Sequence, residues 1–456
     1  MWLVLGLLLR VLLIVFPRSL DDDTAVYLEL GRNLLHHHVY GLMSDSGVLV
    51  PSLFRLPGYP IFLALLGGRL WLVELVQSGL DLFGCWLLAC AVRTRLGDRA
   101  AEWTLALGSL CLFTAAYAAT ALTESLSVFA VCWGIYGFAR WSKERRAGMV
   151  VSMAGAAALA MLLRPDGVLL LVALVFGVAV TSRGLRDVVL LAVVACLPLG
   201  VWGARNYATF HVIQPLAPRH VNDPGERVNL GFYRWLRTWS TEFVTTGNVF
   251  WSVGADALNI DDVPARAFDS AAQRAETAEL FDVYNRQGHQ VDGPLDARFA
   301  ALAAARVAAH PVSYYVVVPM ARIADMLLRP RTETYDLDAA WWQVGEHPWQ
   351  SAAAIGLGVV NLAYMLAALC GVVRRRVPFG VVLGSYFVLR CVLLGTLENS
   401  EPRYSLELYP MVVIAAAAML AGWRSGVGSV VAKEFAGGFG DEGEDDEAGL
   451  PGERGY

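Results

Sequence analysis

The chain has 456 residues, of which 56% are hydrophobic and only 17% charged, and its mean hydropathy is +0.49. A water-soluble domain carries about 25% charged residues, so the composition excludes a soluble enzyme and indicates a polytopic membrane protein. The formal net charge of -5 is spread over loops and a very acidic tail, and it points to no nucleic-acid partner.

The first apolar run, residues 1–16, has no basic leading segment and no A-x-A cleavage site, and Arg10 interrupts its centre. It reads as a short first span, with Arg10 facing the bundle interior, rather than as a secretory signal. Further spans fit residues 70–92, 100–116, 126–138, 149–163, 168–180, 188–202, 352–373, 379–397 and 408–423. With the first, these make about ten, several of them shorter than the roughly 20 residues a crossing needs. All seven cysteines, Cys85, Cys90, Cys111, Cys132, Cys196, Cys370 and Cys391, fall inside these spans, and no CxxC pair occurs. They read as small buried apolar residues, not as a disulfide frame or a metal site.

Basic residues then sort the loops. Arg93, Arg95 and Arg99 lie in one, and Arg140, Lys143, Arg145 and Arg146 in the next. Arg183 and Arg186 fill a third, and Arg374, Arg375 and Arg376 a fourth. Alternate short loops are basic, which predicts that they and both termini are cytoplasmic. The loop at 18–57, the Arg164-Pro165 corner, the region 204–350 and the loop at 398–403 then share the outer side.

The predicted organisation is a membrane module over 1–203, an outer and mainly helical domain over 204–350, three closing spans over 351–424, and a disordered acidic cytoplasmic tail over 425–456. The outer region carries Trp235, Trp239, Trp251, Trp341, Trp342 and Trp349 and a helical pattern over 265–310, so it reads as a folded cap over the membrane mouth. Residues 311–328, with Arg322 and Asp325, are expected to lie along the interface.

Residues 19–65 hold the densest chemistry. Asp21, Asp22 and Asp23 follow the first span directly, a helical pattern with Tyr27, Leu30, Leu34 and Leu35 comes next, and the stretch closes on RLPGYP at 55–60. Charges at a membrane boundary are costly unless water, a partner or a ligand answers them. Three acids in a row exceed what a helix start requires for its dipole. Arg55 also fits a headgroup anchor, and Arg164 a snorkelling residue at a helix end. Glu74, Ser78 and Asp81 share a helix face and are expected to line a wet cavity or to pair with Arg10 or Arg390. His36, His37 and His38 point in different directions on a helix, so they read as a solvated helix end rather than a metal site.

In order along the chain come Asp23 with Tyr27 four residues on, ELGRNLL, the turn Val39-Tyr40-Gly41 and RLPGYPIFLALL. They are followed by TES at 123–125, LLRPDG at 162–167, PLGVWGARNYATF at 198–210 and EPRYSLELYP at 401–410. This series resembles the GT-C fold glycosyltransferases, in the branch of protein O-mannosyltransferases and bacterial aminoarabinose transferases. The resemblance covers residues 1–422 and is weakest over the outer region.

The resemblance implies an all-α, GT-C-like bundle of about ten transmembrane helices with an outer helical cap, in the bacterial cytoplasmic membrane. It implies an inverting transfer of a sugar from a polyprenyl-phosphate donor to an envelope acceptor, whether protein, lipid or polysaccharide, without metal or cofactor. Asp23 takes the place of the base by its spacing to Tyr27. The family's second acid position is Thr24 here, and Asp22 lies one residue earlier, so the choice between Asp22 and Asp23 stays open. Arg55 stands where the aminoarabinose transferases carry a lysine before a double proline, whose second proline is Gly58 in this chain. Arg55, Arg403, Arg164 and Arg205 form the pool for a phosphate clamp, with Arg55 and Arg403 ahead. Tyr27, Tyr59, Glu124, Glu401 and Tyr404 are expected to line the substrate.

The chemistry fits these residue types independently. Displacing a lipid phosphate from an anomeric carbon needs a base for the incoming hydroxyl and cations for the charge growing on the phosphate. A transporter or flippase of lipid-linked glycans is the alternative, since it also places charge in a wet membrane cavity. A non-catalytic envelope assembly protein is the third. A transporter distributes polar residues toward both faces, whereas the motif-bearing ones here gather on one.

Overall fold

The computed structural model describes residues 1–16, 22–182, 184–220, 222–374 and 376–436, with the backbone alone for Asp22 and for 423–436. Asp21, Arg183, Arg375 and the acidic run from 437 onward lie outside the described residues, as does the side chain of Asp22.

The chain is almost wholly helical. The membrane module runs α1 (Trp2–Val15), α2 (Asp22–His37), a hairpin of β1 (Gly41–Met43) and β2 (Leu49–Pro51), α3 (Gly58–Leu65), α4 (Leu70–Ser109), α5 (Leu112–Ala118), α6 (Thr123–Glu144), α7 (Ala147–Leu163), α8 (Val168–Thr181) and α9 (Leu185–Phe210). The following region holds α10 (Leu230–Arg237), a short turn α11 (Phe243–Thr245), α12 (Ala271–Arg286), α13 (Gly293–Ala309) and α14 (Val318–Leu328). The chain closes with α15 (Pro348–Val373), α16 (Gly380–Gly395) and α17 (Tyr409–Ala436).

This is an integral membrane protein. Every predicted span falls on a helix, but the lengths differ from those expected. Among the described residues four helices are long and apolar enough to cross a bilayer: Leu70–Ser109, Leu185–Phe210, Pro348–Val373 and Pro402–Gly422. Trp2–Val15, Ala147–Leu163, Pro165–Thr181 and Gly380–Gly395 are apolar but shorter. Predicted span 70–92 and the first part of 100–116 share α4, which breaks at Gly97, where φ is +79°; the rest of 100–116 falls in α5. Only glycine adopts that conformation without strain. Helix α17 continues to Ala436, past the boundary drawn at 424.

The membrane core forms around α4, α6, α7, α8 and the start of α17, where Val92, Cys132, Ala157, Met161, Leu174 and Ile414 are buried. Arg10 is fully buried in α1 and pairs with Asp81 of α4, which is the partner its position called for. Its Nη1 group also donates to the carbonyls of Gly6 at 2.9 Å and Ser109 at 2.7 Å.

The region after α9 builds its own core from Phe232, Trp235, Leu236, Trp239, Leu280, Phe281, Phe299 and Leu302. Ser270 caps α12 by accepting from the Gln273 amide, and Asp292 caps α13 by accepting from the Leu295 amide at 2.9 Å. The amphipathic spacing read over 265–310 is therefore realised as two capped helices on one aromatic core. Arg322 of α14 ties this unit to the membrane helices, donating to the carbonyls of Ser240 at 2.7 Å and Gly395 at 2.8 Å.

Candidate active site

The loop between α2 and α3 is what places Arg55. Its hairpin pairs Gly41 with Pro51, and Tyr40 donates from its hydroxyl to the carbonyls of Arg55 and Leu56 at 3.1 Å each. Arg205 of α9 clamps the same loop from the side, donating to the carbonyls of Tyr40 at 2.7 Å and Ser52 at 2.8 Å, and it packs on the rings of Tyr40 and Trp202. Asp223 accepts from the Leu53 amide at 2.7 Å. Gly58 then lets the loop press onto α7: a Cβ at this position would lie 2.6 Å from the Leu162 carbonyl oxygen. The proline expected there by resemblance is thus replaced by the residue that permits contact.

Helix α2 is fixed just as firmly. The Thr24 hydroxyl donates to the Ala121 carbonyl at 3.0 Å, which sets the start of α2 against the turn before α6. Tyr27 packs edge-on against Tyr59, with ring centroids 5.1 Å apart, and the Arg55 guanidinium lies 5.5 Å from the Tyr27 ring centre. Burial pushes the Tyr27 hydroxyl up to about 12, against the pull of Arg55, so it stays protonated at neutral pH.

Between these supports sits a connected set of charges. Arg55 donates to one oxygen of Asp23, and Arg403 donates to the other at 3.2 Å. Arg403 also pairs with Glu401 and approaches Glu124 at 3.9 Å. Glu124, from the TES segment at the start of α6, accepts from Arg164 at 2.9 Å. Arg164 in turn meets Asp166 at 3.2 Å and Glu407 at 3.6 Å. Arg390 of α16 bonds to Asp166 and to Glu407, the latter at 2.6 Å. Asp23 and Arg55 keep side-chain exposures of 22% and 23%, whereas Glu124 has 2%. The network therefore runs from a solvent-accessible head into a buried tail.

The head opens on a cavity of about 610 Å³. Its wall includes Asp23, Tyr27, Arg55, Glu124, Arg164, Arg403 and Tyr404 among the residues singled out from sequence. A second part of the wall is aliphatic, with Leu163, Val168, Leu169, Leu393, Leu394 and Leu397. Among the described side chains, three expected residues are not in the wall. Arg205 donates to the loop carbonyls of Tyr40 and Ser52 and to Asn206 and does not line the cavity. Tyr59 is fully buried and donates to Gln77 at 2.6 Å. Glu401 stands behind Arg403, where burial pushes its carboxyl up against the pull of that arginine.

Sequence reasoning missed Asp166, Glu407, Arg390, Arg219, His220 and Glu398 as members of the site. Asp166 and Glu407 lie inside quoted motifs, one residue past Pro165 and three past Tyr404, so the motif boundaries themselves were the available signal. Arg390 was noted only as a partner for the Glu74 face, and nothing local announces its contact with Asp166.

Residues 59–202 match the family model of dolichyl-phosphate-mannose-protein mannosyltransferases. That stretch contains Glu124, Arg164 and Asp166 but neither Asp23 nor Arg55 nor Arg403. No curated protein matches the chain. Among solved structures, ArnT from Cupriavidus metallidurans bound to undecaprenyl phosphate is similar at 14% identity, over 96% of this chain and 80% of that one, with a TM-score of 0.38. The archaeal oligosaccharyltransferase AglB from Archaeoglobus fulgidus, in complex with an inhibitory peptide and a dolichol-phosphate, is similar at 13% identity, over 97% of this chain and 52% of that one, with a TM-score of 0.46. This chain thus spans about half the length of AglB. The family matched over residues 59–202 falls in the glycosyltransferase branch that the sequence motifs resemble.

Proposed function

We propose that the chain is an inverting glycosyltransferase that moves a sugar from a polyprenyl-phosphate donor to an acceptor hydroxyl, at the outer face of a bacterial cytoplasmic membrane. The observation that carries this reading is the arrangement around Asp23. One carboxylate at the mouth of a cavity has each of its oxygens bonded to a different arginine, Arg55 and Arg403. Aliphatic side chains of α7, α8 and α16 line the same space. Two guanidiniums suit a phosphate, the aliphatic wall suits isoprene units, and a carboxylate suits a general base.

The arrangement also suggests an order of events. Before donor binds, each oxygen of Asp23 accepts from one of the two arginines, so both are engaged. An arriving phosphate competes for the same two guanidiniums and releases Asp23 beside the anomeric carbon. Asp23 then takes the acceptor hydroxyl proton as that oxygen bonds to the anomeric carbon on the face opposite the phosphate. The carbon–oxygen bond to the phosphate breaks, and its electron pair leaves on the phosphate oxygen held by Arg55 and Arg403. The leaving anion is stable, so no strong general acid is needed. The family match over residues 59–202 supports the reaction class, and the alternation of basic loops supports the orientation.

Purified protein and a synthetic polyprenyl-phosphate sugar provide the test. Release of polyprenyl phosphate, with the sugar recovered inverted on an acceptor or on water, is the expected result. Intact donor that instead crosses the bilayer of proteoliposomes would mark a flippase. For orientation, a single cysteine placed at Arg376 in a cysteine-free background is expected to resist membrane-impermeant reagent added outside intact cells; labelling there would overturn the topology.

A further inference from the structure

The cavity has a third lining, which the transfer chemistry does not use. His220, Tyr233, Phe250 and Trp251, all from the region after α9, face the same 610 Å³ space as Asp23 and Arg55. His220 stacks on Tyr233 with ring centroids 5.1 Å apart and planes 8° from parallel. Tyr233 meets Phe250 at 5.6 Å, and Phe250 meets Trp251 edge-on at 4.9 Å. Phe250 and Tyr233 rest on the aromatic core of the α10–α13 unit, so the row has a rigid backing. Trp251 is 52% exposed, so its ring is open to the cavity.

A charged pair lines the cavity together with this row. Glu398 accepts from Arg219 on both oxygens, at 3.0 and 3.2 Å, and from Arg237 on Oε1 at 3.5 Å. Its side chain is only 7% exposed, while that of Arg219 is 44% exposed. A carboxylate has about four lone-pair sites, so Oε2 keeps acceptor capacity, and Arg219 keeps N–H donors. Burial also lowers the His220 pKa, against the opposing pull of Glu398, so the ring that stacks on Tyr233 is neutral at pH 7.

We propose that this wall is a saccharide-binding subsite, and that the acceptor hydroxyl therefore belongs to a sugar. The assignment rests on the glycosyltransferase reading for what the subsite is used for, but not for its existence. A pyranose has an apolar C–H face that lies on an aromatic ring and a hydroxyl rim that needs both donors and acceptors. Trp251 supplies the first, backed by Phe250 and Tyr233, and Glu398 with Arg219 supplies the second. A polyprenyl chain offers nothing to the spare acceptor and donor sites of Glu398 and Arg219, and it already has the aliphatic wall of Leu163, Leu169 and Leu393. An extended peptide needs backbone partners along its length, and every group named here is a side chain. The cavity volume falls within the roughly 300–1,000 Å³ of small-ligand sites.

Two readouts test the proposal separately from the transfer reaction. The first is saturation-transfer NMR of methyl hexosides and methyl N-acetylhexosaminides with the purified protein, alongside a serine/threonine peptide. Saturation of at least one glycoside, lost in Trp251→Ala and kept in Trp251→Phe, is expected. Trp251 is half exposed, so its removal leaves the core intact. No glycoside signal in the wild type, or a signal that Trp251→Ala leaves unchanged, overturns the subsite even if donor turnover is normal. The second readout is kinetic: Trp251→Ala should raise KM for the glycoside acceptor about three- to tenfold and divert donor consumption from transfer toward hydrolysis. A rise confined to the donor KM, or transfer that prefers the peptide, overturns the acceptor assignment. Glycoside binding without any donor turnover would leave the subsite standing while the glycosyltransferase reading fails.

Discussion

Two arginine–aspartate pairs in this chain look alike on paper and differ in kind. Arg10 and Asp81 sit between α1 and α4 with side-chain exposures of 0% and 2%, and the other donors of Arg10 are spent on backbone carbonyls. Asp23 and Arg55 have exposures of 22% and 23%, line a cavity, and share the carboxylate with a second arginine from the far end of the chain. The first pair has no exit and no competitor, so it joins helices. The second is a pair an incoming anion can take apart. Burial and the spending of donors, not residue type, separate a structural pair from an exchangeable one.

That contrast is broken most forcefully at Asp23. Asp23→Asn keeps the shape and removes the proposed base, and it should lower turnover by about 10²–10⁴-fold. Steady-state release of polyprenyl phosphate checks this, and near-normal turnover would remove Asp23 from the chemistry. The buried pair should respond in stability instead. Arg10→Ala leaves the Asp81 carboxylate buried and unpaired, which costs about 3–5 kcal/mol, whereas the double change Arg10→Met with Asp81→Leu should restore most of it. Thermal unfolding in detergent reads both, and equal destabilisation by the single and double variants would contradict the account. Arg55→Ala comes next. It should weaken donor use about ten- to hundredfold through a lost charge-assisted contact, with melting temperature little changed and partial rescue by Lys, which still offers a point charge. Arg55→Ala with unchanged donor kinetics would make Arg55 a headgroup anchor.

How far the sequence carried the account follows from the same physics. The helices were legible because apolar runs announce themselves: the break at Gly97 lies between the spans expected at 70–92 and 100–116, and α7, α8 and α16 keep within two residues of the bounds expected. The partner of Asp81 was legible only as a choice between Arg10 and Arg390, and the run of α17 to Ala436 was not legible at all. Asp23, Arg55, Arg164, Glu124 and Arg403 were singled out from motifs at the bilayer rim, and the fold gathers them in one network. Arg205 and Tyr59 belong to the same motifs, yet their donors go to the Ser52 carbonyl and to Gln77. A motif records residues that matter without distinguishing touching a ligand from holding a loop. Asp166 with Arg390 and Arg219 with Glu398 pair across 224 and 179 positions, and such contacts exist only after folding.

The central claim is that donor phosphate replaces Asp23 on Arg55 and Arg403, and so frees the base. The affinity of Asp23→Asn for a polyprenyl phosphate, titrated beside the wild type, tests it most directly. The account predicts equal or tighter binding, because a neutral amide no longer competes for the two arginines, in a protein whose transfer step is nearly silent. Binding that weakens in step with turnover would mean that Asp23 holds the donor site together and is not the group the donor sets free.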